Sequence, residues 1–374
     1  MTLDKTTQYV LILLDLKNNH LYMQKNPKLK EKGTVSKELR FFDAADILLD
    51  NLPERSREII KKRFGLMSGR IETLENIGRD YGITRERVRQ IIHDAFNKIK
   101  GFSGMESFKG AEEKIILEIS RSSGIISEED LIGRLGGGDP MESSAIAFFA
   151  VCSKKLVELE EKGLVKKSWA VSGNILEDVK KTYKVAEEIL AESMVPLSGS
   201  ELVGKIVAKE GSIPKNDIIN FLNVLEGISK NKFGKWGFSD WMEINPKGTR
   251  ERIYLVLKEV GKPLHFREIA KLIDKAGINK KKSHPQTVHN ELIKDKRFVL
   301  IGRGVYALME WGYAPGTISD VLEDILKKND KPMKKEEILE AVLKIREVKK
   351  ATIMINLNNK NKFMKQGEGY VLKR

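Results

Sequence analysis

The chain has 374 residues, 41% of them hydrophobic and 32% charged, which suits two to four folded domains and excludes a largely disordered polymer. Its net charge of +14 favours a polyanionic partner and is unevenly spread. Residues 1–50 carry +1 (8 basic, 7 acidic), residues 51–101 carry +5 (12 and 7) and residues 102–251 carry −4 (20 and 24). Residues 252–311 carry +7 (13 and 6) and residues 312–374 carry +5 (14 and 9), so the basic excess sits in one early and two late segments. The lone cysteine, Cys152, excludes an internal disulfide framework and is expected to be a buried, inert thiol in a reducing cytoplasm. The early apolar run Tyr9–Leu14 is far shorter than the roughly 20 residues of a membrane span, and neither a signal peptide nor a membrane partner is expected.

In residues 1–50, Val10–Leu14 suits a short helix or a strand, and residues 18–33 suit a loop. Lys37–Leu49 is expected to be a helix with Leu39, Phe42, Ala45, Leu48 and Leu49 on one side. Glu54–Phe64 is a second expected helix, opened by Pro53, whose fixed φ suits a first turn. Thr73–Tyr81 is a short amphipathic helix with Leu74, Ile77 and Tyr81 inward, and Gly82-Ile83 turns the chain. Thr84 caps the next helix, although Arg87 stands where a capping box needs Glu. From Arg85 to Ile99, Val88, Ile91, Ile92, Ala95, Phe96 and Ile99 share one side at helical spacing. Glu86, Gln90, His93 and Asn97 take the other, flanked by Arg87 and Arg89. Two helices joined by a tight Gly turn make a helix-turn-helix, whose second helix enters the major groove by its N-terminus.

Four pieces, Leu52-Pro53-Glu54-Arg55, Arg63-Phe64-Gly65-Leu66, Thr73-Leu74-Glu75 with Ile77-Gly78, and Thr84 through Ile91, carry a resemblance. In order and spacing, residues 52–100 resemble region 4 of housekeeping-type bacterial sigma factors, which reads the −35 promoter element. The resemblance implies that Arg85, Glu86 and Gln90 read bases. It implies that Thr84, Arg87 and Arg89, with Leu74 and Glu75 of the supporting helix, touch phosphates. The side-chain chemistry agrees: Arg forks onto guanine, Glu accepts from cytosine N4, and Gln pairs with adenine. Asp94 departs from the pattern by placing a negative charge on a phosphate-facing helix. The resemblance also implies a polymerase contact through an apolar groove, with Phe64 and Leu66 as its contributors.

Gly101–Gly110 is expected to be a linker, and a repeat follows it. Pro196-Leu197 with Glu201-Leu202, Pro263-Leu264 with Glu268-Ile269, and Pro332-Met333 with Glu337-Ile338 share one pattern, with a fainter copy at Ile125-Ile126 and Asp130-Leu131. Its last residues, at 131, 202, 269 and 338, lie 71, 67 and 69 apart, the mark of a tandem array. Each unit reads as three helices and a β-hairpin wing, with Gly-Arg-Gly and Gly-Glu-Gly tips in the last two. The expected fold is mainly α: a helix-turn-helix domain followed by about four winged-helix modules. The expected divisions are 1–50 (uncertain), 51–101, 111–172, 180–244, 251–312 and 317–374. Within 252–311, Lys262–Ile269, Phe298–Leu308 and Glu310-Trp311 resemble a HARE-type winged helix. That domain forms the folded part of the RNA polymerase delta subunit and also occurs beside restriction and chromatin-modifying modules. Lys280, Lys281 and Lys282 are either a solvated loop or a second nucleic-acid phosphate contact. The second module has a near-neutral stretch, Ser212–Lys215, at the same place and is expected to bind protein or to act as a spacer.

No phosphate loop, dinucleotide fingerprint, metal-ligand spacing or nucleophilic triad stands out, so no catalytic residue, metal or cofactor is expected. The resemblances imply a cytoplasmic, nucleoid-associated factor of transcription initiation, with promoter duplex and bacterial RNA polymerase core as partners and no small-molecule substrate. A winged-helix polymerase adaptor and a DNA-recognition component of a restriction or defence system remain alternatives.

Overall fold

The computed structural model describes residues 40–279, 281–313, 316–329, 331–346 and 348–373. The expected elements at 10–14 and 18–33, together with Leu39 and Lys280, lie outside them. The chain is mainly α, a helix-turn-helix followed by four winged-helix modules, and it divides into two compact units. The first takes the described residues up to Glu158 with Trp169–Ser172; the second takes Leu159–Ser168 and the described residues from Gly173 onward.

The first unit contains α1 (Phe41–Leu49), α2 (Glu54–Phe64), α3 (Leu74–Tyr81), α4 (Arg85–Gly101), α5 (Glu106–Arg121), β1 (Ile125–Ser127), α6 (Glu128–Leu135) and α7 (Pro140–Cys152). Pro53 is the N-cap of α2 rather than its first residue. Helix α1 buries Ala45, Leu48 and Leu49 as expected, against α5 and α7. Its start is held from a distance in sequence. The Glu142 carboxylate on α7 accepts the N–H groups of Phe41 (2.9 Å) and Phe42 (3.3 Å) and a bond from Arg40 (3.1 Å). Two helix-terminal N–H groups and a guanidinium thus offset the cost of a buried carboxylate.

The expected linker at Gly101–Gly110 is not one. Helix α4 runs to Gly101 and α5 starts at Glu106. Phe102 and Met105 pack onto the core and Phe108 is fully buried, so apolar residues at a spacing of three keep the chain on the core. Gly101 and Gly104 face open space, which is why glycine there signals no hinge. The core between is aromatic. Phe148 on α7 lies 5.4 Å from Phe64 of α2 and 6.5 Å from Phe96 of α4, centroid to centroid, and 5.5 Å from Phe149. Leu66 is buried in the same cluster and Phe64 is spent on it, so neither is presented as part of an exposed apolar groove.

Cys152 is buried at the end of α7, and burial pushes its thiol well above the usual range. The native protein should therefore resist a thiol-specific reagent and react only once denatured. Stoichiometric labelling of native protein would show that α7 opens locally.

Wing strands β2 (Val157–Glu161) and β3 (Val165–Ala170) complete the first module. The second module is α8 (Ile175–Ser193), β4 (Leu197–Ser198), α9 (Gly199–Lys209), α10 (Lys215–Val224), β5 (Ile228–Lys230) and β6 (Lys235–Phe238). The third is α11 (Thr249–Val260), β7 (Leu264–His265), α12 (Phe266–Lys275), α13 (Pro285–Lys294), β8 (Phe298–Gly302) and β9 (Val305–Leu308). The fourth is α14 (Ile318–Lys327), β10 (Met333–Lys334), α15 (Lys335–Ile345), α16 (Lys350–Leu357), β11 (Phe363–Gln366) and β12 (Gly369–Leu372).

The repeated pattern marks more than a turn. Its Leu or Met opens a short strand that pairs antiparallel with the second wing strand, as in Leu197↔Trp236, Leu264↔Tyr306 and Met333↔Tyr370. The wing is therefore two strands of a three-stranded sheet. The pattern's Glu is the third helical residue and reaches back to the cap: Glu201 accepts the Ser198 N–H at 2.9 Å and Glu337 the Lys334 N–H at 2.8 Å. Its closing residues, Leu131, Leu202, Ile269 and Ile338, are all buried.

Within the second unit, each wing engages the module after it. The Glu226 N–H donates to Leu164 O (2.9 Å), and the Gly163 N–H donates to the Glu226 carboxylate (2.6 Å). Lys235 of the second wing pairs with Glu259 of α11 (2.9 Å), and the buried Arg346 guanidinium donates to Leu300 O in the third wing. The wings thus help to join the array, while the third helices keep exposed polar residues. Among the described residues, no helix is long and apolar enough to cross a membrane.

Candidate nucleic-acid interface

The helix-turn-helix is built by two threonine caps and two glycines. Thr73 Oγ1 accepts the Asn76 N–H (3.2 Å) and Thr84 Oγ1 accepts the Arg87 N–H (3.2 Å), satisfying one donor at each helix start. Gly82 ends α3 at φ +62°, the left-handed conformation that glycine adopts most readily. The Ile83 N–H then donates back to Gly78 O at 2.9 Å.

Buried Ile59, Ile77 and Val88 form a small core beneath the turn, with Leu74, Tyr81, Ile83, Ile91 and Ile92 packed around it. Val88, Ala95 and Ile99 are buried on α4 and Ile91, Ile92 and Phe96 half-buried, the face expected from spacing. Tyr81 clamps α3 to α2. Its hydroxyl donates to Glu58 (2.8 Å), and Arg55 and Lys62 lie 6.0 and 5.5 Å from its ring centroid. Burial and the neighbouring Glu58 carboxylate push that hydroxyl's pKa up to about 12, so it stays protonated as a donor.

The opposite face of α4 is open. Arg85, Glu86, Arg87, Arg89 and Gln90 are all exposed, as are His93, Asp94 and Asn97. Two of the three expected base readers are held by their own helix. The Glu86 carboxylate accepts from Arg89 Nε (2.9 and 3.1 Å) and from its terminal nitrogen (2.6 Å), and Gln90 Oε1 accepts from Arg87 (3.1 Å). The Arg89 guanidinium holds the Glu86 carboxyl below the usual carboxylate range. These i,i+3 pairs fix where both side chains point, and a duplex must exchange them for base edges and phosphates. Their spacing is visible in the sequence, but the pairing itself is not.

Leu74 is half-buried against the small core, so it offers the interface its backbone N–H alone. Glu75 is exposed. The N–H groups of these two residues open α3 and have no partner within the helix, which suits a phosphate at a helix N-terminus. Arg79, not singled out from sequence, lines a shallow depression over the turn with Ile83, Thr84 and Arg87. In the third module, Lys281 and Lys282 are exposed just before α13.

Comparison with known proteins agrees with this geometry over two segments. Residues 48–101 match the family "Sigma-70, region 4", and residues 249–311 match the HARE-HTH family, described as a "restriction endonuclease HTH domain". The chain is 49% identical over 55 residues to "RNA polymerase sigma factor sigB" of Arabidopsis thaliana, covering 15% of this chain and 10% of that protein. It is 44% identical over 62 residues to "RNA polymerase sigma factor SigA" of Listeria monocytogenes, covering 17% of each. It is likewise 44% identical over 66 residues to SigA of Synechocystis, covering 18% of this chain and 15% of that protein. The chain thus spans about a tenth to a sixth of the length of these curated relatives. Within those bounds it carries a DNA-binding helix-turn-helix domain of the sigma region 4 type and, further along, a HARE-HTH domain.

Proposed function

We propose that the protein is a DNA-binding factor of bacterial transcription initiation, working in the cytoplasm at the nucleoid. It reads a −35-like promoter element with α4 and associates with RNA polymerase core. Arg85, Glu86 and Gln90 take base edges; Thr84, Arg87, Arg89 and the N–H groups of Leu74 and Glu75 take phosphates. The observation that carries this reading is the exposure of those side chains on a helix whose other face is locked by Ile59, Ile77 and Val88. A winged-helix polymerase adaptor is the second reading. It is favoured by the engagement of each wing with the next module and by the weakly charged start of α10, where Asp217 follows exposed Lys215 and Asn216.

The test is fluorescence anisotropy of the full chain on a −35-type duplex. Arg85→Ala and Gln90→Ala should each cost about 1–3 kcal/mol of binding and relax preference at one base position. Arg87→Ala should weaken all duplexes alike and lower the salt slope by about 1. Capture of polymerase core by the same variants separates the readings. Binding unchanged by Arg85→Ala and Gln90→Ala, with polymerase still captured, would leave only the adaptor.

A further inference from the structure

A second site lies in the third module, at the start of α13. A pocket of about 160 Å³ is lined there by Arg252, Asn279, Lys282, His284 and Thr287, among others. Three features make it a seat for an anion. Helix α13 begins with Pro285, which has no N–H, and the His284 side chain makes no capping bond. The N–H groups of Gln286 and Thr287 therefore have no partner within the helix, and the first intrahelical bond is Val288 N–H to His284 O (3.2 Å). Arg252, from the start of α11, is held by one terminal nitrogen on Lys247 O (2.9 Å), while its buried Nε–H has no hydrogen-bond partner. An unmet donor on a buried guanidinium is costly, and an anion would satisfy it. Lys282 adds a second cation at the rim. The nearby Asp274 carboxylate already accepts the Ser283 N–H (2.8 Å).

We propose that this pocket binds a phosphate group. Its volume lies below the roughly 300 Å³ at which whole small-molecule sites begin, so it fits the group and leaves the rest of the ligand outside. The helix N-terminus and the two cations supply the donors that phosphate oxygens need. The phosphate belongs either to a nucleic-acid backbone or to a free phosphorylated molecule. The site is independent of α4, which lies in the other compact unit.

The experiment follows the backbone amides of Gln286 and Thr287 by nuclear magnetic resonance in the full chain. The probes are inorganic phosphate and a short duplex of arbitrary sequence. Phosphate should move both amides saturably. His284→Asp supplies an internal carboxylate at the cap, so it should raise the melting temperature while weakening phosphate binding by about tenfold or more. Lys282→Ala should weaken binding without unfolding the module. If the duplex moves the same amides, the source is a nucleic-acid backbone; if only inorganic phosphate does, the source is a free phosphorylated ligand. Amides that respond to neither probe, or that respond equally in His284→Asp, overturn the proposal. Arg85→Ala with Gln90→Ala should leave the response intact, so failure at this pocket and failure of the promoter reading stay distinguishable.

Discussion

Phe148→Ala should destabilise the first unit by about 3–5 kcal/mol and loosen the helix-turn-helix together with the first winged-helix module. Phe148 is fully buried, and its ring touches residues from three helices: Phe64 of α2, Phe96 of α4 and its own neighbour Phe149. Removing it leaves a cavity beneath α4 that rigid helices cannot collapse to fill. Domain stability is on the order of 5–15 kcal/mol, so the loss is a large share of the total. Hydrogen exchange reads the consequence. Amides of α4 should lose protection along with those of α7, because one aromatic cluster serves both. Phe148→Leu keeps much of the volume and should lose far less. If α4 amides keep native protection in Phe148→Ala while α7 amides lose theirs, the two halves of the unit do not share a core.

That coupling is hard to see in the sequence, and the reason is local. The buried face of α4 is legible because Val88, Ile91, Ile92, Ala95, Phe96 and Ile99 recur at helical spacing. The segment after it misleads because Gly101, Gly104 and Gly110 look like punctuation, whereas Phe102, Met105 and Phe108 decide where the chain goes. The cap that Glu142 supplies to α1 acts across about a hundred residues, and no periodicity carries such information. In the array, spacing locates Leu131, Leu202, Ile269 and Ile338 in their cores. It does not reveal the two-residue strands before α9, α12 and α15, which are too short to show alternation and exist because the wing pairs with them. The exposed face of α4 is legible as a set of side chains. Its pairing of Glu86 with Arg89 and Gln90 with Arg87 is a rotamer choice that only coordinates display.

Gly78→Val should abolish sequence-specific duplex binding while the remainder of the chain stays folded. Gly78 lies within α3 at an ordinary helical φ, so its need for glycine is steric. A Cβ there would meet Ile83 O at 2.7 Å, with Thr84 C and Arg85 N at 3.5 Å, and all three atoms are backbone of the turn. Backbone cannot rotate aside as a side-chain tip can, so the turn and the start of α4 must move. Overpacking of this kind costs about 1–3 kcal/mol, and the helix-propensity gain of Val over Gly returns only a few tenths. The larger effect falls on recognition, because Arg85 and Glu86 sit within one turn of the displaced atoms. Affinity for the −35-type duplex should drop toward the nonspecific level, on the order of a thousandfold. Gly82→Asn is the matched control. A Cβ at Gly82 meets nothing within 4 Å, and Asn accepts the left-handed conformation at modest cost. It should lose about 1 kcal/mol of stability and keep its duplex preference. Anisotropy on matched and scrambled duplexes, read beside thermal melts, separates the two. Native preference in Gly78→Val would mean that the spacing of α3 and α4 does not govern what the exposed face reads.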